Sequence, residues 1–148
     1  MTSYEISTET LAIIPIDNYR SKIIEGNNTF VVNKTPMEII EHSCRYFGSS
    51  YAGRHTGTKN LIGVSHKSPI IIEETKELIF FPTSSPRLYD CSWISLKNIE
   101  EYKKMNNNSL IVFNSGYLME LGMSYGSLDN QILRATRLES VLRTRKKI

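Results

Sequence analysis

Between Glu41 and Glu73 the chain holds no aspartate or glutamate, yet Arg45, Arg54, Lys59, Lys67 and all three histidines fall there. A stretch without carboxylates does not repel a polyanion, and cations set in it can displace counterions from phosphates. Tyr46, Phe47 and Tyr51 are interleaved with these cations. A second bias lies toward the C-terminus. Residues 97–148 carry nine Lys/Arg against five Asp/Glu, whereas residues 1–96 carry nine against ten. Arg134, Arg137, Arg143 and Arg145 belong to this second group. Basic residues on an exposed helix face are commonly just solvated, so this group argues less strongly for a ligand. The chemistry suggested by both groups is nucleic-acid binding, although no helix-turn-helix, zinc-finger or RNA-recognition motif is visible.

Other chemistries fit less well. Gly53-Arg54-His55-Thr56-Gly57-Thr58-Lys59 superficially suggests a phosphate-binding loop. That loop needs four residues between its glycines and a lysine directly after the second, so the spacing fails. His42, Cys44, His55, His66 and Cys91 include no pair at the short fixed spacing of structural zinc, and no metal or cofactor is expected. No Gly-x-Ser-x-Gly elbow is present, and Cys44 falls on an apolar stripe where a thiol tends to be inert. Catalysis is not expected.

The elements that must position these cations follow from patterning. At 148 residues, 40% apolar and 22% charged, the chain suits a single domain over 1–148 that buries a core without metal or disulfide staples. The apolar clusters Leu11–Ile16 and Leu78–Phe81 fall far short of the roughly 20 residues that span a bilayer. The first five residues lack a signal-peptide pattern, so a cytoplasmic protein with Cys44 and Cys91 reduced, and no membrane partner, is expected. Leu11–Ile16 reads as a strand that Pro15 confines to an edge or an end. Residues 21–25 and 29–33 flank Gly26-Asn27-Asn28 as a hairpin. Thr35, Pro36 and Glu38 mark a helix start, with Met37, Ile40, Cys44 and Phe47 as its buried stripe and Gly48 as its stop. Gly48 to Gly63 holds four glycines and no sustained period, and reads as a long loop. Two strands follow around 69–72 and 77–82. The stretch after Trp93 fits strand or helix, and residues 110–113 and 117–121 form a hairpin across Asn114-Ser115-Gly116. Ser127 to Lys146 reads as a helix with the apolar stripe Leu128, Ile132, Ala135, Leu138 and Leu142, and Ser127 as its cap. The expected fold is α+β, mostly antiparallel sheet with one short helix (about 36–47) and a long C-terminal helix (about 127–146).

The wording of the sequence adds a resemblance. Glu41-His42-Ser43-Cys44-Arg45-Tyr46-Phe47-Gly48-Ser49-Ser50-Tyr51-Ala52-Gly53-Arg54 resembles the central motif of the ComK family, competence transcription factors of Gram-positive bacteria. The likeness continues through Ser65–Ile70, Phe80–Thr83, Trp93–Ser95, Phe113–Gly116 and Met119–Leu121, and ends with Ser124, Gln131, Arg134 and Ala135. It spans roughly residues 20 to 138 in collinear order, which a chance motif match would not do. The resemblance implies a nucleoid-associated activator of DNA-uptake genes. Family members bind double-stranded AT-rich DNA at boxes of A-runs and T-runs as homo-oligomers, largely from the minor groove, and bend it. Narrow A-tract minor grooves attract inserted cations, and a loop presenting Arg54 and Lys59 among glycines suits such a groove. The residues expected to contact DNA are Arg45, Arg54, Lys59, Lys67, Arg134 and Arg137. Longer family members continue past the position matching Arg145 with a tail that resembles a handle for an adaptor and its protease. The sequence ends at Ile148, so adaptor and protease binding through that tail is not expected. The alternative is a shortened relative that serves as a protein-interaction module without DNA affinity.

Overall fold

The computed structural model describes residues 1–146. Nine strands and three helices follow one another among the described residues. Strands β1 (Thr10–Pro15), β2 (Ser21–Glu25) and β3 (Asn28–Val32) precede helices α1 (Pro36–Tyr46) and α2 (Tyr51–Ile62). Strands β4 (Ile70–Glu73), β5 (Leu78–Pro82) and β6 (Trp93–Ser95) come next. Strands β7 (Ile99–Met105), β8 (Asn108–Phe113) and β9 (Leu118–Leu121) lead into α3 (Tyr125–Lys146). A six-stranded sheet has the order β3-β2-β1-β6-β5-β4, and a three-stranded sheet the order β7-β8-β9. Every strand pair is antiparallel. The fold is therefore α+β, as patterning predicts. No helix among the described residues is long and apolar enough to cross a membrane.

The large sheet is covered on both faces, which explains why Ile70-Ile71-Ile72 and Leu78-Ile79-Phe80-Phe81 are unbroken apolar runs. Successive strand residues point to opposite faces, so a sheet buried on both sides needs apolar residues at every position. On one face Ile70, Ile72, Leu78 and Phe80 pack with Ile13, Ile23 and Trp93 under Ile39, Ile40 and Cys44 of α1. On the other, Ile71, Ile79 and Phe81 pack with Ile24 and Ile94 against α3 and the small sheet. The α3 stripe is the predicted one: Leu128, Ile132, Ala135, Leu138 and Leu142 are all buried. Gln131 joins that stripe, its amide donating to the carbonyls of Lys67 (3.0 Å) and Pro82 (2.8 Å). It ties α3 to the end of β5 and to the segment after α2.

Local signals account for most boundaries. Thr35 and Glu38 form the expected capping box, and Gly48 ends α1 in the left-handed region at φ +85°. Pro15 stands at the end of β1, which lies inside the sheet between β2 and β6. The stretch after Trp93 resolves into strands. The α3 helix starts two residues earlier than predicted, and Ser124 rather than Ser127 caps it, accepting from the Ser127 N–H at 3.2 Å.

The clear departure is α2. Twelve residues of the expected loop are helical, capped by Ser50, whose hydroxyl accepts from the Gly53 N–H, and closed by left-handed Gly63. Thr58 is its one buried residue, so no apolar stripe announces the helix. Tertiary contacts hold it. The Thr58 hydroxyl donates to the Pro69 carbonyl at 2.6 Å, Tyr51 sets its ring edge-on to Trp93 at 6.3 Å, and Leu61 and Ile62 rest on the core.

The β4–β5 turn gathers carboxylates against Arg54, near the start of α2, and the basic end of α3. Arg54 of α2 donates to Glu74 at 2.9 Å. Arg143 of α3 donates twice to Glu77, at 2.7 and 2.9 Å, and the Lys146 ammonium reaches the Glu74 carbonyl at 2.6 Å. The paired hydrogen bonds from Arg143 hold the Glu77 carboxyl below the ordinary carboxylate range. A carboxyl depressed in the fold stabilises it fully above its unfolded pKa of about 4.3, and loses that contribution as pH falls through the folded value. Arg143→Ala is therefore expected to lower the melting temperature at pH 7, with the gap to wild type closing below about pH 4. Thermal melts at pH 7, 5 and 3.5 check this. A gap that stays constant with pH removes the Glu77 pairing as its cause.

Candidate nucleic-acid interface

The six expected contact residues separate into two sets. Lys59 is exposed in the last turn of α2. Lys67 is exposed in the segment that follows, left-handed at φ +51°, with its carbonyl held by Gln131. Arg134 is half-buried on α3 and donates to the His66 carbonyl at 3.0 Å, while Arg137, one turn further on, is exposed. Helix α2 packs on α3, and hydrogen bonds from Gln131 and Arg134 hold the His66–Lys67 segment against the middle of α3. The acids nearest to it along α3 are already engaged: Asp129 accepts from Tyr102 at 2.6 Å, and Glu139 lies 3.7 Å from Arg143.

Arg45 and Arg54 form the second set. Arg45 ends α1 and pairs with Glu41 at 3.1 Å. Arg54 lies on a helix rather than a loop, and its side chain is only 18% exposed. Its Nε is buried without a hydrogen-bond partner among the described residues. Both arginines therefore already hold a carboxylate, which a phosphate would have to displace.

Helices α1 and α2 are joined by the four residues 47–50, a connection length typical of helix-turn-helix pairs. The first turn of α2 is nevertheless unsuited to DNA, because the Glu41 carboxylate accepts from the Tyr51 N–H at 2.6 Å and places a negative charge there. The exposed side of α2 is smooth instead. Ala52, Gly53, Thr56, Lys59 and Asn60 are solvent-facing, and a Cβ at Gly57 would meet nothing within 4 Å. A helical glycine costs about 1 kcal/mol relative to alanine, and Gly57 offsets this with no internal packing.

The remaining candidates do not assemble a reactive centre. Burial pushes the Cys44 thiol up to about 11 and raises that of Cys91 as well, so both stay protonated at neutral pH. His42 faces Glu5 at 2.8 Å, and the His55 ring donates to the Ser65 carbonyl at 2.9 Å. Among the described residues no three His, Cys, Asp or Glu side chains converge as a metal site. A cleft of about 570 Å³ runs beside α1, lined by Tyr4, Met37, Ile39, His42, Arg45 and Tyr51 among others.

Sequence reading left one basic feature undecided, the hairpin of β7 and β8. Lys103, Lys104, Met105, Asn106 and Asn107 are all exposed, with Asn106 left-handed at φ +56°. The two lysines beside three consecutive asparagines carried a turn signal that the ambiguous apolar spacing before them obscured.

The family profile described as ComK protein matches residues 1–147. The competence transcription factor of Bacillus subtilis (strain 168) is 40% identical over 149 residues, covering 98% of this chain and 78% of that protein. No solved structure matches.

Proposed function

The chain belongs to the ComK family, and from that premise we propose that it is a DNA-binding transcription regulator that activates genes for DNA uptake. The 40% identity to a competence transcription factor along nearly the whole chain carries this reading. The cationic surface of Lys59, Lys67, Arg134 and Arg137 supports it physically. Such a surface binds phosphates by releasing condensed counterions. The preferred target is AT-rich duplex, whose narrow minor groove concentrates negative potential and favours inserted Arg and Lys. The smooth face of α2 lets a DNA backbone approach closely. Arg45 and Arg54 contribute only where phosphate displaces Glu41 and Glu74. We read residues 1–148 as one domain, because both core clusters share one sheet, and as a cytoplasmic, nucleoid-associated protein acting as a homo-oligomer without catalysis.

Fluorescence anisotropy with an A-run/T-run duplex and a G/C-rich duplex tests the reading. The four cations of this surface contribute about −3.6 to the log–log salt slope, by themselves an affinity loss on the order of 100-fold between 50 and 200 mM salt. The A/T duplex is expected to bind more tightly, and a minor-groove drug to compete. Absence of binding to either duplex would favour the protein-interaction module instead.

A further inference from the structure

Strand β7 shows where the protein extends past its own core. A strand resting on a core buries alternate residues. From Lys103 to Asn107 both alternating sets are exposed, so this side of the hairpin end is uncovered, whereas Ser109 on β8 opposite is buried. The tip is nonetheless well defined. Lys103, Lys104 and Met105 pair in register with Leu110, Ser109 and Asn108 of β8. Its root is fixed to α3, since the Tyr102 hydroxyl donates to Asp129 at 2.6 Å and its ring stacks on Tyr125 with centroids 5.5 Å apart. The hydrogen bond to Asp129 pushes the Tyr102 phenol up to about 12, so it remains a donor at any physiological pH.

We propose that the β7–β8 hairpin is a second DNA-contacting arm, in which Lys103 and Lys104 meet phosphates, the asparagines at its tip meet the minor groove, and Met105 presses against a base step. The proposal rests on the DNA-binding reading above and extends it to a separate part of the chain. The charge pattern along the arm fits. Glu100 and Glu101 lie at the root, Glu101 3.9 Å from Lys103, and Glu120 lies on β9, while no acid stands beyond Lys103 up to the turn. Asn106, Asn107 and Asn108 offer amide donors that suit the acceptors presented by A·T pairs. Met105 is an apolar side chain 37% exposed beside the turn, and methionine is among the residues that wedge between base steps. Arg134 and Arg137 lie five and eight residues beyond Asp129, roughly 8 and 12 Å along α3 at about 1.5 Å per residue. The helix that anchors the root of the arm therefore also carries Arg134 and Arg137.

The test uses the full chain and an A-run/T-run duplex, with salt-titrated anisotropy for affinity and end-to-end fluorescence transfer for the bend. Lys103→Ala/Lys104→Ala is expected to reduce the salt slope by about 1.8 and weaken binding at least tenfold at 0.1 M salt. Met105→Ala is expected to keep the slope and reduce the bend. Neither variant should change the melting temperature appreciably, because all three side chains are exposed. Failure of the wild type to bind any duplex sinks the DNA reading itself. Wild-type binding that both variants match in slope, affinity and bend overturns the arm alone, and Met105→Ala with the wild-type bend removes the wedge.

Discussion

A protein carrying Lys59→Ala, Lys67→Ala and Arg137→Ala together is expected to lose on the order of 500-fold in affinity for an AT-rich duplex at 0.1 M salt. Each phosphate contact contributes about 0.9 to the log–log salt slope, so the variant slope should be shallower by about 2.7. These three side chains suit the test because they are exposed and, among the described residues, no hydrogen bond or ion pair engages them. Removing them should leave stability within about 0.5 kcal/mol per site. Arg134 is kept intact, since its guanidinium holds the His66 carbonyl and its loss would move the Lys67 segment. Anisotropy across a salt series, with a parallel thermal melt, decides the matter. A stable variant with an unchanged slope would exclude this surface, and DNA would have to be held elsewhere.

The second large effect concerns Phe80 and Phe81, neighbours in sequence that are both 0% exposed on opposite faces of the large sheet. Phe80 fills the cluster under α1, and Phe81 the cluster under α3 and the small sheet. Truncating a buried phenylalanine to alanine costs about 3–5 kcal/mol, through lost transfer energy and the cavity left behind. A small domain holds only about 5–15 kcal/mol in total. Each single alanine variant should therefore fold with a much reduced denaturation midpoint, and the double variant should be largely unfolded at 25 °C. Urea unfolding followed by circular dichroism measures both costs. A Phe81→Ala cost below about 1 kcal/mol, beside a full Phe80→Ala cost, would show that α3 is not packed on the sheet as described.

Much of this architecture is legible in the chain because its signals are local. Thr35, Pro36 and Glu38 specify the start of α1 through hydrogen bonds that close within one turn, and Gly48 stops it by accepting a left-handed backbone. Gly26 does the same for the β2–β3 hairpin. The α3 stripe repeats often enough over 22 residues to be recognised, and all five of its predicted members are buried. Helix α2 was not legible. Its glycines at 53 and 57 argue against a helix, and only Thr58 is buried, so neither propensity nor period indicates one. Contacts to Pro69, Trp93 and the core, distant in sequence from most of its residues, hold it in place.

The acid-free interval from His42 to Ile72 shows the same division between what composition and what packing determine. Its charge bias and family wording are properties of residue order alone, and they stand whatever the chain folds into. Which of its cations are available is a tertiary matter. Glu41 and Glu74 return from either side of the interval to take Arg45 and Arg54, while the Lys67 segment is held beside Arg134 by a helix more than sixty residues further along the chain. A linear charge count cannot see this, because at contact distance a carboxylate cancels a guanidinium regardless of their separation along the chain. The sequence by itself thus determined most of the strands, the helices α1 and α3, and the family. Packing decided that Arg45 and Arg54 are paired with carboxylates, that the Lys67 segment is held against α3, and that Lys103 to Asn107 at the end of β7 are exposed.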